Sequence, residues 1–339
     1  MNRRMPSVAE AAPEANATGT TLAGPPSRPA VTTARLAAAF AAIYLIWGST
    51  YLAIRFGIEG FPPLLLAGAR HVIAGIVLFP VARYRSGGRP TARNWRAAAL
   101  VGILLLLFGN GAVCWSEQTV PSGVAAILVA TVSLWMVIVE WLRPGGARPS
   151  GRVFAGLALG FSGLIFLVGP SHFGGGGRVN PIGATVLALG ALAWATGSVF
   201  SKHIELPRSP LLGTAMQSLV GGVALLIAAI LSGEMSAFDA HRVSLRSALA
   251  LLYLIVFGSW IGFTAYTYLL GVAPPGRVGT YAYVNPVVAM FLGWAFAGEP
   301  VTLRTFSAAA VILTAVVLVI TAPHRTPNEP EPIPAPGEA

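Results

Sequence analysis

Apolar residues run along the chain in ten stretches: roughly 36–56, 64–83, 96–115, 122–142, 153–170, 180–200, 209–231, 247–270, 278–297 and 304–321. A helix needs about 20 mostly apolar residues to cross a bilayer, and each stretch approaches that length. Within them the apolar positions are continuous rather than alternating, which predicts helices and not the strands of a membrane barrel. Gly- and Pro-rich clusters punctuate the runs: RPGGARPSGR after the fourth, PSHFGGGGRVNP after the fifth and GVAPPGR after the eighth. Such clusters end helices. The pattern predicts an all-α polytopic membrane protein with ten transmembrane helices. Residues 1–35, rich in Ala, Pro, Thr and Ser, and residues 322–339, rich in Pro and Glu, carry no apolar periodicity and are expected to be disordered tails.

Composition sharpens this picture. Of 339 residues 55% are hydrophobic and 10% charged, with a mean hydropathy of +0.71. Soluble domains carry about 25% charged residues, so an ordinary soluble enzyme is excluded. The net charge of +10 would suggest nucleic acid in a soluble protein, but here the basic residues lie in short segments between apolar runs. With the N-terminus taken as cytoplasmic, 16 Lys and Arg fall on the cytoplasmic side and five on the other. The positive-inside bias then puts both termini in the cytoplasm. One cysteine, Cys114, lies in an apolar run and reads as a small buried side chain, not a metal ligand.

The two halves echo each other. At an offset of 147, Trp47 falls on Trp194, Pro63 on Pro210 and Arg70 on Gln217; near Gly146 and Gly298 the offset becomes 152. Five spans per half is an odd number, so the halves insert in opposite senses. Two inverted five-helix repeats, 36–170 and 178–321, are expected. Halves of this kind can exchange conformations and move an opening from one face to the other.

The stretches IYLIWGSTYLAIRFG at 43–57, PPLLLAGARHVIAGIVL at 62–78 and TYAYVNPVVAMFLGWAFAGEPVTLRTFSAAAVILTAVVLV at 280–319 resemble the ten-span EamA-domain branch of the drug/metabolite transporter superfamily. The resemblance covers about 36–321. It implies ten helices in inverted repeats, a location in the bacterial inner membrane, a central cavity, and export or exchange of amino acids, other small metabolites or toxic compounds. The first half departs from the family pattern: the positions matching Pro286 and Glu299 hold Leu134 and Ala147.

Among the residues themselves, Arg70 stands out. It lies about six residues into the second span, roughly 9 Å deep at 1.5 Å per residue. A charge at that depth must face the bundle interior, water or a partner. It either binds a substrate carboxylate, closes an external gate by pairing with Glu117, or serves as a structural Arg. Beside it His71 points elsewhere on the helix. Gln217, pseudo-equivalent to Arg70, is a candidate hydrogen-bonding residue. Trp47 and Trp194 are deep for an interfacial belt and are candidates to line a cavity or to pack helices. Asn110, Trp115 and Glu117 make the end of the third span unusually polar and are candidates for an external vestibule. Tyr266, Tyr283 and Asn285 add polar groups on the eighth and ninth spans. Pro286 removes a backbone donor, frees a carbonyl about four residues earlier and is a candidate hinge. Glu299 is expected to cap the tenth span together with Thr302, and Glu140 to pair with a loop Arg.

No catalytic motif, cofactor fingerprint or metal cluster is found, so the expected cofactors, catalytic residues and metal ligands are none. The expected function is a secondary transporter, an exporter or exchanger of small organic metabolites or amino acids working by alternating access. The rival readings are a non-transporting structural or sensory membrane protein and an intramembrane enzyme. The expected partners are a small amphipathic organic solute and membrane lipid, with a proton or a counter-substrate as open choices for coupling, and no nucleic acid. Monomer and homodimer both stay open.

Overall fold

The computed structural model describes residues 32–86, 89–146, 148–168, 179–273 and 278–321. Residues 1–31, 87–88, 147, 169–178, 274–277 and 322–339 lie outside the described residues, as do the side chains of Val168, Tyr283 and Ile320; residues 33–35 of the expected N-terminal tail already belong to the first helix. Every apolar run forms a helix: α1 Thr33–Gly57, α2 Pro63–Ser86, α3 Ala92–Ser116, α4 Ser122–Leu142, α5 Gly151–Val168, α6 Pro181–Phe200, α7 Pro210–Leu231, α8 Leu245–Val272, α9 Tyr281–Ala297 and α10 Leu303–Ile320. Seven of these, α1–α4 and α6–α8, are long and apolar enough to cross a bilayer. Stretches within the other three, Gly151–Leu167, Val284–Ala297 and Leu303–Val319, are shorter apolar helices. Among the described residues, length and composition thus identify seven of the expected ten stretches as candidate spans, and the other three are shorter apolar helices. At 1.5 Å per residue a 17-residue helix reaches about 26 Å, just short of a hydrocarbon core about 30 Å thick. The chain is an all-α polytopic membrane protein.

Local chemistry sets the helix starts. Asn180 accepts from the backbone of Ile182 and Gly183 with Pro181 at the first helical position, and Ser209 caps α7 ahead of Pro210 in the same way. Thr91 and Asn94 form a reciprocal capping box at the start of α3. Proline suits that first position because its missing N–H would have no intrahelical partner there.

The helices pack in pairs: α2 on α7, α4 on α9, α5 on α10, and α3 on both α6 and α7. Small residues let backbones approach, the usual basis of helix association in lipid. A Cβ on Gly222 of α7 would sit 2.7 Å from the Val72 nitrogen of α2, and one on Gly102 of α3 would sit 2.7 Å from the Gln217 carbonyl of α7.

Among the described residues three helices carry wide, π-type turns: Ala42–Ile46 in α1, Ile103–Asn110 in α3 and Leu254–Gly262 in α8. Such turns are rare and concentrate at functional sites. Here all three helices border one cavity.

Glu299 has a different role from the one expected. It follows α9, whose end is marked by left-handed Gly298 (φ 65°). Its carboxylate accepts from the Ser122 nitrogen (2.8 Å), the Ser122 hydroxyl (2.8 Å) and the Gly123 nitrogen (3.3 Å). It thus caps α4, while Thr302 alone caps α10 through the Thr305 nitrogen. Glu234, in a short helical turn after α7, likewise accepts from the Leu65 nitrogen at the start of α2 (2.9 Å). Glu140 does pair with Arg143 (2.7 Å), and His203 lies 3.8 Å from it.

Candidate functional site

A cavity of about 70 Å³ lies in the middle of the bundle, room for a small chemical group or a few waters. It is lined from α1 (Trp47, Thr50, Tyr51, Ile54), α2 (Arg70, His71), α3 (Asn110, Val113 and neighbours), α4 (Val129, Val132), α6 (Trp194 and neighbours), α8 (Gly258, Phe263) and α9 (Tyr281, Asn285). The lining is mostly apolar and aromatic, with a few convergent polar groups.

Those polar groups form a chain. Arg70, 4% exposed, donates from Nε to the Ser259 hydroxyl at 3.2 Å. Ser259 Oγ lies 3.5 Å from His71 Nδ1, and His71 Nε2 lies 3.4 Å from Asn110 Oδ1. Arg70 Nη1 is buried and has no hydrogen-bond partner among the described residues. A guanidinium held at one nitrogen and open at another is a donor waiting for an acceptor. Gly258 makes the room: a Cβ there would lie 3.3 Å from Arg70 Nη2 and 3.2 Å from the Thr50 methyl.

Aromatic rings close another side. The Trp47 ring lies 4.9 Å from Tyr266, 5.5 Å from Tyr281 and 5.6 Å from Trp194, the last two edge-on. Trp47 Nε1 donates to the Gly258 carbonyl in the wide turn of α8 (3.3 Å), and Trp194 Nε1 to the Tyr266 hydroxyl (3.2 Å). Tyr266 also meets the Ser198 hydroxyl at 2.8 Å. Gly262 admits the indole, since a Cβ there would fall 2.5 Å from Trp47 Nε1.

Of the residues singled out from sequence, Arg70, Trp47, Trp194, Asn110 and Asn285 line the cavity, and Tyr266 packs behind the two tryptophans. Gln217 does not reach it. Gln217 is buried where α3 and α7 meet, its carbonyl facing Gly102. The reason is the close approach of those two helices, which fixes this residue away from the centre. Trp115, 38% exposed, lies on the outside of α3. Glu117 lines no open vestibule; it is fully buried beyond the cavity's end. The Tyr283 side chain lies outside the described residues. With its amide oriented by its surroundings, Asn285 Nδ2 donates to the Ile43 and Tyr44 carbonyls of α1, 3.0 Å each. It therefore serves the wide turn of α1, not a carbonyl freed by Pro286. Pro286 sits inside α9, which is assigned as helix from Tyr281 to Ala297.

His71 was set aside from sequence, and Thr50, Tyr51 and Phe263 of the lining were not singled out. His71 and Arg70 are neighbours on α2, about 100° apart, yet Ser259 stands between them and both reach it. Tyr281 and Asn285 are four residues apart and share a face; that spacing was legible in the sequence.

The sequence model of the EamA-like transporter family matches residues 35–169 and 181–321. The inner membrane transporter YedA of Escherichia coli is 42% identical over 85% of this chain and 92% of its own length. The transporter YvbV of Bacillus subtilis is 28% identical over 85% of this chain and 92% of its own. A probable amino-acid metabolite efflux pump of Escherichia coli is 25% identical over 81% of this chain and 91% of its own. A solved crystal structure superposes with a TM-score of 0.59 at 20% identity, covering 84% of this chain and 97% of that one, which bears on the fold alone. With family and relatives matched over nearly all of the helical region, the chain belongs to the EamA-like transporter family and is a secondary transporter.

Proposed function

We propose that the protein moves small amphipathic organic metabolites or amino acids across the bacterial inner membrane, as an exporter or exchanger, by alternating access around the central cavity. The observation that carries this reading is the buried, half-free guanidinium of Arg70 beside an aromatic wall. Arg70 binds an acidic group of the solute, His71 and Asn110 orient it through Ser259, and Trp47 and Trp194 pack against its apolar part.

Two inverted five-helix repeats, 36–170 and 178–321, supply the motion, and ten helices cross the membrane. Several observations support this. The family model matches twice, in 35–169 and in 181–321. The wide turns of α3 and α8, third helices of each half, start at Ile103 and Leu254, close to the sequence offset of the repeats. Equivalent helices α2 and α7, α4 and α9, α5 and α10 pack against each other. Pro286 is the hinge of α9, and both termini are cytoplasmic. Relatives named as an inner membrane transporter and as a probable amino-acid metabolite efflux pump support the location and the solute class.

Purified protein in proteoliposomes preloaded with unlabelled solute tests the reading against a panel of radiolabelled amino acids and aromatic carboxylates. Saturable, trans-stimulated uptake of at least one is expected; its absence across the panel, or flux that never saturates, refutes it. Single cysteines at 85 and at 118, in a Cys114→Ser background, test the orientation. An impermeant thiol reagent applied from outside is expected to label only the second.

A further inference from the structure

Helical hydrogen bonding continues one residue past α3, with Glu117 N donating to the Val113 carbonyl at 3.1 Å. Asn110, Val113 and Glu117 follow each other at helical spacing and share a face. The first two line the cavity, and Glu117 comes one turn further on. Its side chain is 0% exposed, and neither carboxylate oxygen has a hydrogen-bond partner among the described residues.

The ionisable groups facing it are Tyr51 and Arg55 of α1, Arg70 of α2, Cys114 of its own helix and Glu299 of the turn before α10. α6, held to this turn by the Ser116 hydroxyl on the Gly183 carbonyl (3.0 Å), contains no ionisable residue. Arg55 directs Nη1 to the backbone carbonyl of Glu117 at 3.0 Å, not to its carboxylate. An ionised carboxylate so placed loses its hydration and gains no hydrogen bond, whereas the protonated carboxyl gives up far less. The guanidinium groups of Arg55 and Arg70 both act electrostatically on it. Intramembrane carboxyls with this combination mark proton paths.

We infer that Glu117 is a proton-binding site coupled to the transport cycle. It holds one proton in the conformation described here and releases it to water when the end of α3 opens. Only the O–H bond breaks; the charge stays on the carboxylate, which then pairs with Arg55 or Arg70, and closing reverses the step. The inference rests on the cavity being a solute path.

Dicyclohexylcarbodiimide, which attacks protonated carboxyls in apolar surroundings, tests the protonation on the unmodified full chain. Mass spectrometry is expected to find the adduct on Glu117, with labelling lost at alkaline pH; unlabelled Glu117 at neutral pH overturns the inference. Proteoliposomes containing pyranine then test the coupling with an imposed gradient of L-phenylalanine, alongside counterflow of the same solute. Proton movement that follows the solute is expected, is abolished by carbodiimide, and falls to background per solute moved in Glu117→Gln. Counterflow without proton movement overturns the role of Glu117 and leaves the cavity reading standing. Absence of counterflow with L-phenylalanine and with every other solute of the panel overturns both. If Glu117→Gln does not insert, the carbodiimide and pyranine measurements on the unmodified protein decide alone.

Discussion

Arg70→Ala removes the only charged side chain that lines the cavity among the described residues. Its Nε is already engaged by Ser259, while Nη1 is buried and has no partner to displace. A solute carboxylate therefore gains at least one charge-assisted bond without breaking another, and a second if Nη2 swings in beside Gly258. One hydrogen bond to a charged group contributes about 1.5–3 kcal/mol, and each 1.4 kcal/mol is tenfold, so the loss is roughly 10- to 150-fold in affinity. Phenylacetate and phenylacetamide are matched in shape and differ in charge. Titration calorimetry on purified parent and variant at neutral pH is expected to show that fall for the acid and little change for the amide. Arg70→Lys keeps the charge but not the fork, and is expected to fall between. An equal loss for both ligands, in a variant with unchanged thermal unfolding, would refute a carboxylate-binding role and make Arg70 a packing residue.

Other expectations concern the frame around the cavity. Glu299→Ala leaves the Ser122 and Gly123 nitrogens at the start of α4 without their acceptor, at a cost of about 2–3 kcal/mol; scanning fluorimetry should show an earlier unfolding transition, and an unchanged one would dismiss the cap. Gly262→Ala forces the Trp47 indole off the Gly258 carbonyl; solute affinity should fall for acid and amide alike, unlike the selective effect at Arg70. Glu234, outside the spans, has its carboxyl pushed up by burial, against the pull of the Leu65 and Leu64 nitrogens. A raised folded value means the folded state binds more protons, so this group's contribution to stability is full at low pH and is lost as pH rises through that value. Glu234→Gln should therefore gain more in unfolding temperature over the parent at pH 8 than at pH 5; a constant difference would contradict the sign.

Helix placement was legible because crossing a bilayer writes itself into composition. The run at 209–231 became Pro210–Leu231, and the run at 122–142 became Ser122–Leu142. The caps at Asn180 and Ser209 were equally local. What sequence reading missed depends on which side of a helix meets which neighbour. Gln217 was paired with Arg70 by repeat arithmetic, but the close approach of Gly102 holds Gln217 in a helix interface. Glu299 was assigned to the nearest helix start, whereas its acceptor role is met 177 residues away in sequence. His71 was set aside because adjacent helical residues diverge, a rule that Ser259 defeats by standing between them.

The wide turns of α1, α3 and α8 carry a mechanical implication. Each stores one residue more than a regular turn needs, and that surplus can be handed along the helix without breaking its ladder of hydrogen bonds. Passing it by one turn swings the side chains it crosses by about 100°. Trp47 borders the first such reserve and Asn110 ends the second. A modest relay within single helices could thus re-aim the cavity walls while the glycine-tight seams between helices stay shut.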